Sequence, residues 1–276
     1  MIIECDNNMK EQIAAYIGND YYKCLYLYID MIKYGCRSSY THSWMQVTNG
    51  KTTAVLLSYH TAMHIYSAGN DFNIGEMAEL LIREKPSMIC AAAPTIRLLQ
   101  NALSAHGYQM EIGHIGRMQR HTLTIGQRMG SDISPHDQGQ TRRATMSDIN
   151  EIASLLYEDE GIGSSYTYED LYAQMRERLS DNFVRSYVIT RNQHVVAHVG
   201  TGAELPNLCT INYVITSASH RGEGLASRLF HYACHELLSE GKEIFSIYYP
   251  EESRRLHHKI GFKDVGEIGK LYINIH

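Results

Sequence analysis

The chain has 276 residues, 44% of them hydrophobic and 20% charged, with a formal net charge of -5. That composition supplies ample apolar material for a core, and at about 100–200 residues per domain it leaves room for one large domain or two small ones. The acidic balance excludes a global basic field of the kind that draws a protein to nucleic acid or to an anionic membrane.

The first elements in chain order are helices over 8–17 and 21–34. Strands over 44–47 and 53–59 flank Asn49–Gly50, a strong hairpin signal. A strand over 61–67, a helix over 75–83 and a strand over 87–92 follow, and Pro94 then opens a helix that reaches Gly107–Tyr108. The stretch RHTLTIGQRMGSDISPHDQGQ has weak apolar periodicity and reads as a linker. After it come a short strand over 142–144 and a helix over 146–157, announced by Thr145 with Asp148 three residues on. A second helical stretch covers 168–179, and strands over 186–190 and 194–200 meet at Asn192–Gln193. A strand over 209–216, a long helix over 223–240 ending at Gly241, and a strand over 243–249 complete the pattern. Pro250 opens a short helix that stops at Gly261, and 264–266 and 270–275 supply final strands. The expected division is a first domain at 1–120, a linker at 121–140 and a second domain at 141–276.

The two halves use one order. AAAPTIRLLQNALSAHGY and IYYPEESRRLHHKIGF both read strand, Pro, helix, Gly, aromatic. Between hairpin and proline the first half is the shorter, and the missing residues fall where the second carries a glycine loop and a long helix. A duplicated fold is the reading that follows, although any two α/β segments share part of such a pattern.

The six cysteines form no CxxC pair and match no zinc spacing, so buried, reduced thiols and a cytoplasmic location are expected. Met1 to Lys10 does not read as a signal peptide, and no apolar run approaches the ~20 residues of a membrane helix. The fifteen histidines are scattered. His257–His258 diverge by about 100° on a helix and suit one metal poorly, so no metal site is expected.

The segment TINYVITSASHRGEGLASRLFHYA carries the chemistry. A strand ends near Thr216, and Gly222 and Gly224 let the backbone turn tightly before a helix. Free N–H groups of such a loop and of the first helical turn make an anion site suited to a pyrophosphate, and Arg221 adds a permanent charge. A dinucleotide-binding GxGxxG fails because no third glycine is in register, and no GK[ST] marks a phosphate loop. With its strand before and its long amphipathic helix, strand, short helix and Gly–Phe stop after, this segment resembles the [Q/R]xxGx[G/A] motif of the GCN5-related N-acetyltransferase (GNAT) family, with Arg221, Gly224 and Ala226 at the fixed positions.

The resemblance implies an α/β (α+β) fold with a mixed central sheet flanked by helices, used twice in tandem, with the first copy degenerate. It implies acetyl-CoA as cofactor, seated between splayed strands 209–216 and 243–249. Backbone groups at Val214, Ile215 and Thr216 would face pantetheine, the segment Arg221, Gly222, Glu223, Gly224, Leu225, Ala226 would hold the pyrophosphate, and Ser253 would face the cofactor from the short helix. The reaction implied is direct attack of a primary amine on the thioester. An alkyl ammonium of pKa near ~10 needs a base for this, and the leaving thiolate benefits from an acid. The family often places a Tyr on the short helix for the acid. Here PEESRRLHHKIGF has Pro250 where an Asn is usual and His257 at the Tyr. His257 is the candidate acid, or else a plain helix residue. Glu204, between two strands, is the candidate base or else an exposed loop glutamate, with Tyr213, Asn212 and Glu160 as rivals and a water chain as a further option. The acceptor is a small-molecule or peptide amine, and no nucleic acid or membrane partner is expected. The first half lacks the glycine loop, so it is not expected to bind acetyl-CoA; it would cover the acceptor site or form a homodimer contact. The alternative function is a non-catalytic acetyl-CoA-binding regulator.

Overall fold

A computed structural model describes residues 1–122, 140–163, 166–180, 184–248 and 251–274. In chain order the first elements are β1 (Ile2–Cys5), α1 (Lys10–Ile17), α2 (Leu25–Tyr34), β2 (Thr41–Thr48), β3 (Lys51–Tyr59), β4 (Ala62–Tyr66), α3 (Ile74–Glu84), β5 (Met88–Ala92), α4 (Ala93–Ala105) and β6 (Gln109–His121). Then come β7 (Gln140–Arg143), α5 (Ile149–Tyr157), α6 (Glu160–Gly163), α7 (Tyr168–Ser180), β8 (Ser186–Arg191), β9 (His194–Glu204), β10 (Leu208–Thr216), α8 (Leu225–Ser239), β11 (Glu243–Tyr248), α9 (Glu251–Ile260) and β12 (Phe262–Asn274). They form two compact units, Met1–Met118 with Val265–His276, and Gln119–Asp264.

In the first unit β1 to β4 pair antiparallel in order, β5 lies parallel to β4, and β12 lies antiparallel to β5. Asn49 and Gly50 take φ of 51° and 74° between β2 and β3, the left-handed pair that a two-residue hairpin turn requires. Side chains alternate across the strands. Trp44, Leu56 and Ile65 therefore pack with Met77, Leu81, Ile96 and Leu99 of α3 and α4. Met45, Val55, Leu57 and Tyr66 pack with Ile13, Ile17, Leu27 and Met31 of α1 and α2 on the other face. Each fully buried aliphatic side chain stabilises the unit by about 1.5–3 kcal/mol relative to exposure.

In the second unit β7, β8, β9 and β10 are successively antiparallel and β11 is parallel to β10. Ile189, Val199, Cys209 and Ile211 face Leu229, Phe230, Ala233 and Leu237 of α8, with Ile260 and Phe262. Val188, Val195 and Ile215 face Ile152, Leu156, Leu171 and Met175 of α5 and α7. The capping pair before α5 is present: the Thr145 amide donates to the Asp148 carboxylate at 2.7 Å, and Arg142 grips the same carboxylate through two nitrogens at 2.7 and 2.8 Å. These partners hold the Asp148 carboxyl well below its usual range, at about 2.

Several expectations shift. No strand was expected over 109–121, where β6 runs, and the two short final strands are one long β12. Val265–His276 clusters with the first unit rather than with the second, because residues 268–272 pair with β5. Most of the expected linker lies outside the described residues. The long helix begins at Leu225 and not at 223, since Gly224 sits in the left-handed region at φ 76°. All six cysteines are buried and none is bridged. Among the described residues no helix is long and apolar enough to cross a membrane, and no His/Cys/Asp/Glu cluster is arranged to hold a metal ion.

Candidate functional site

The parallel pair at the centre of the second unit opens partway along its length. Cα pairing between β10 and β11 runs from Leu208↔Glu243 to Ile211↔Ser246 and stops. β10 continues to Thr216 beside β9, through an irregularity between Asn212 and Ile215 where Tyr213 takes φ 53°. From Val214 to Thr216 the far edge of β10 has no strand beside it among the described residues. Its N–H and C=O groups on that side are open to a ligand, and backbone polar groups removed from water need a partner.

The loop after β10 is shaped by its glycines. A short turn at Ala218–His220 is pinned by His220 Nδ1, 2.9 Å from both Ser217 Oγ and Ser219 Oγ. Gly222 and Gly224 then take φ of 86° and 76°, which L side chains rarely adopt, and Gly224 precedes α8 with no side-chain cap. The first N–H groups of α8 are therefore left for solvent or an anion, at the positive end of the helix dipole. A Cβ built on either glycine meets no atom within 4 Å. The space above the loop is empty, and a side chain at either position would fill it.

A cleft of about 860 Å³ lies here, lined by Asp159, Val214, Ile215, Thr216, His220, Arg221, Gly222, Gly224, Leu225, Ala226 and Ser227, with Ser253, Arg255, Leu256 and Lys259 of α9. Nine of the ten cofactor-facing residues expected from sequence are in that lining. Glu223 is not: its carboxylate pairs with Arg191. Arg221 Nε donates to the Thr216 carbonyl at 3.3 Å, and its guanidinium lies 3.6 Å from Asp159. The buried Thr216 hydroxyl has no hydrogen-bond partner among the described residues. Open loop amides, an unladdered strand edge and a basic lining fit a phosphate-bearing ligand with an extended amide arm, which is the chemistry of coenzyme A.

The two expected catalytic side chains stand elsewhere. His257 is buried, in ring contact with Phe230, Tyr248 and Phe262, and absent from the cleft lining. Burial pulls its pKa below 6.5, against the Ser253 carbonyl that favours a proton on the ring. Glu204 is also buried. It accepts from the Thr201 hydroxyl at 2.7 Å and pairs with Arg185 at 3.0 Å and Lys242 at 3.5 Å. Arg185 further binds Glu240, and the Lys242 ammonium donates to the Leu205 carbonyl at 2.6 Å. β9 runs on through Glu204, so this carboxylate belongs to a packed charge network and not to a loop over the cleft. Asp159, Arg255 and Lys259 line the cleft and were not singled out from sequence; only their spacing around the loop and on α9 could have pointed to them.

In the first unit the equivalent helix start is closed. The Asn73 carboxamide oxygen accepts from the amides of Gly75 and Glu76 at 3.1 and 3.2 Å. Gln46 bonds Asn73 N, Asn73 O and the Glu76 carboxylate, Phe72 is buried in the core, and Thr95 of α4 donates to Asn70 at 2.6 Å.

Residues 148–262 match the family model of the acetyltransferase (GNAT) family. The match identifies a GNAT domain over those residues. No curated protein matches it. Among solved structures, an acetyltransferase of the GNAT family from Colwellia psychrerythraea superposes with a TM-score of 0.58 at 8% identity, covering 99% of this chain and 100% of that one. A tandem GNAT protein from the clavulanic acid biosynthesis pathway gives 0.58 at 11% identity, with 99% and 98% covered. A Drosophila protein gives 0.70 at 9% identity over 99% and 98%. At these identities the likeness is one of fold.

Proposed function

We propose that the protein is an N-acyltransferase that moves an acetyl group from acetyl-CoA to a primary amine, with acetyl-CoA held by the second unit alone. The observation that carries this is the cleft in which two left-handed glycines, an uncapped helix start and the open edge of β10 converge. The amides of Gly222, Gly224 and Ala226 with Arg221 would hold the pyrophosphate, and the β10 edge at Val214–Thr216 would pair with the pantetheine amides. A backbone N–H there would polarise the thioester carbonyl. Acetyl-CoA supplies the activated acyl group; this chain supplies position, a dry wall at Leu225 and Leu256, and charge. No single described side chain is assigned as the base: Glu204 is committed to two cations, and Tyr213, Asn212 and Glu160 remain candidates beside a water chain.

The first unit follows the order of the second, with two helices where the second has three: strand, helices, antiparallel strands, helix, parallel strand, helix, strand. We read it as a degenerate copy whose helix start is occupied by the Asn73 side chain, which accepts from the amides of Gly75 and Glu76. Calorimetric titration of the whole chain with CoA should give one site. Two equivalent sites or none would overturn the assignment.

One second reading has specific support. The burial of His257 and the neutralisation of Glu204 favour a protein that binds acetyl-CoA without turning it over. Thiol release from acetyl-CoA, followed with and without a panel of amines, separates the two. Amine-dependent release selects the enzyme, and binding with no release selects the regulator.

A further inference from the structure

β10 sends two neighbouring side chains to opposite layers of the second unit just where it parts from β11. Pairing with β11 ends at Ile211, and the irregularity that follows carries Tyr213 at φ 53°. Val214 packs against the layer of α8, whereas Tyr213 packs against that of α5 and α7. A positive φ strains a tyrosine, and an irregularity of this kind re-aims a side chain. His198 pins it: Nδ1 donates to the Tyr213 carbonyl at 3.2 Å, and the buried ring, with a pKa of about 4, is neutral at pH 7. The guanidinium of Arg178, in the last turn of α7, lies over the Tyr213 ring, 5.2 Å from its centroid. Its Nη1 is buried and has no hydrogen-bond partner among the described residues. A cation–π contact leaves the N–H donors available, and a buried donor without an acceptor is destabilising.

A cation on an aromatic face thus stands beside the closed end of the gap. With a pyrophosphate on the glycine loop, pantetheine would run along Thr216 and Val214, and the thioester would come to that closed end, next to Tyr213. The cofactor would occupy the α8 side, so an acceptor amine would approach from the α7 side, where Tyr213 and Arg178 stand. An acceptor with a second positive charge would be repelled there. One that carries a carboxylate answers the guanidinium with paired, charge-assisted hydrogen bonds, and its carbon chain can lie against the Tyr213 ring. The helix dipole also favours an arginine in the last turn of α7, but it accounts neither for the seat on Tyr213 nor for the buried Nη1.

We propose that Arg178, seated on Tyr213, binds a carboxylate of the acceptor, so that the substrate class is an amino carboxylate. The proposal rests on the reading of the second unit as an acyltransferase. It is tested on the full chain by amine-dependent thiol release from acetyl-CoA. The acceptors are the standard α-amino acids, β-alanine and γ-aminobutyrate, each paired with its carboxamide, which keeps the amine and loses the charge. In the wild type the best carboxylate should exceed its carboxamide in kcat/KM by about ten- to hundred-fold, the scale of charge-assisted hydrogen bonds. Arg178→Met keeps the packing on Tyr213 and should abolish that preference by raising KM for the carboxylate alone, with CoA affinity by calorimetry unchanged. Arg178→Lys keeps the charge but not the fork, and should retain part of the preference. Equal use of carboxylates and carboxamides by the wild type, or equal loss of both in Arg178→Met, would overturn the acceptor class while leaving the acyltransferase in place. Absence of release with every amine would overturn the acyltransferase reading and the acceptor class with it.

Discussion

The Nδ1 atom of His257 lies 2.8 Å from the carbonyl oxygen of Ser253, one helical turn before it. A carbonyl only accepts, so Nδ1 carries the proton; Nε2 lies 3.1 Å from the Ser246 Oγ, whose one proton is shared between this nitrogen and the Ile211 carbonyl at 3.3 Å. Burial holds the ring's pKa below 6.5, so the neutral tautomer prevails at pH 7. We expect nitrogen-15 NMR of the imidazole to show an unprotonated Nε2 at neutral pH. Amine-dependent turnover should accordingly rise with pH as the acceptor loses its proton, with no alkaline fall between pH 6 and 8. A protonated Nε2 at pH 7, with activity dropping through that range, would restore His257 as the acid.

Much of this site was legible because glycine has a narrow set of uses. RGEGLA between a strand and an amphipathic helix requires left-handed backbone, and Gly222 and Gly224 have it. The roles of His257 and Glu204 were not legible, because the sequence gives their type and spacing but not their burial. An imidazole on α9 and a carboxylate at a strand end look alike whether they face solvent or core. The partners that neutralise Glu204, Arg185 and Lys242, lie 19 and 38 residues away in sequence. The pairing of β12 with β5 joins residues from opposite ends of the chain, and no local periodicity reports that.

Gly224→Val should weaken CoA binding far more than Arg221→Ala. Valine at φ 76° is strained by about 1–2 kcal/mol, and its branched side chain would enter the space above the loop. Arg221 is 61% exposed, so its contact is screened and its loss should cost about ten-fold or less. Calorimetry should show at least a further ten-fold separation between the two variants, with circular dichroism unchanged. Equal affinities for Gly224→Val and wild type would remove the loop from the site.

Glu204→Gln tests whether that carboxylate is a base or a strut. The substitution keeps the volume but leaves the buried Lys242 ammonium with only carbonyl oxygens, from Leu205 and Pro206. Breaking one side of a buried pair costs about 3–5 kcal/mol. The denaturation midpoint should fall accordingly, while CoA affinity and turnover per folded molecule stay within about two-fold. A loss of turnover of about 100-fold or more at unchanged stability would instead make Glu204 the base.

Acid should destabilise the second unit through His198. Burial, aided by Arg178, draws this ring from 6.5 to about 4, although the Tyr213 carbonyl opposes the shift. The folded state thus resists a proton that the unfolded state accepts. Stability is full above pH 6.5, is lost as pH falls from 6.5 towards 4, and changes no further from this group below that. The loss is at most about 3 kcal/mol. Urea unfolding followed by circular dichroism at pH 7.5 and 4.5 should show the difference, and His198→Gln should remove most of it. A His198→Gln variant with the wild-type pH dependence would clear His198 of the effect.

The last prediction concerns β12. Residues 268–272 pair with all five residues of β5, and Leu271 is fully buried in the core that contains Trp44 and Leu99. Gly269 brings β12 close to α4: a Cβ there would lie 3.0 Å from Ile96 Cγ1. A chain ending at Asp264 therefore loses a strand of the first unit, although the sequence places the cut in the second half. It would expose the β5 edge, an unpaired row of N–H and C=O groups prone to association. Trp44 is the chain's one tryptophan, and it is buried in this core, so its fluorescence reports on the first unit. Truncation after Asp264 should shift the Trp44 emission to the red or lower its unfolding midpoint in urea. Because the truncated chain is expected to aggregate, Leu271→Ala gives the milder measure. It should cost about 2–5 kcal/mol by the Trp44 signal while leaving CoA affinity unchanged. An unaltered Trp44 transition in Leu271→Ala would mean that the first unit is complete without β12.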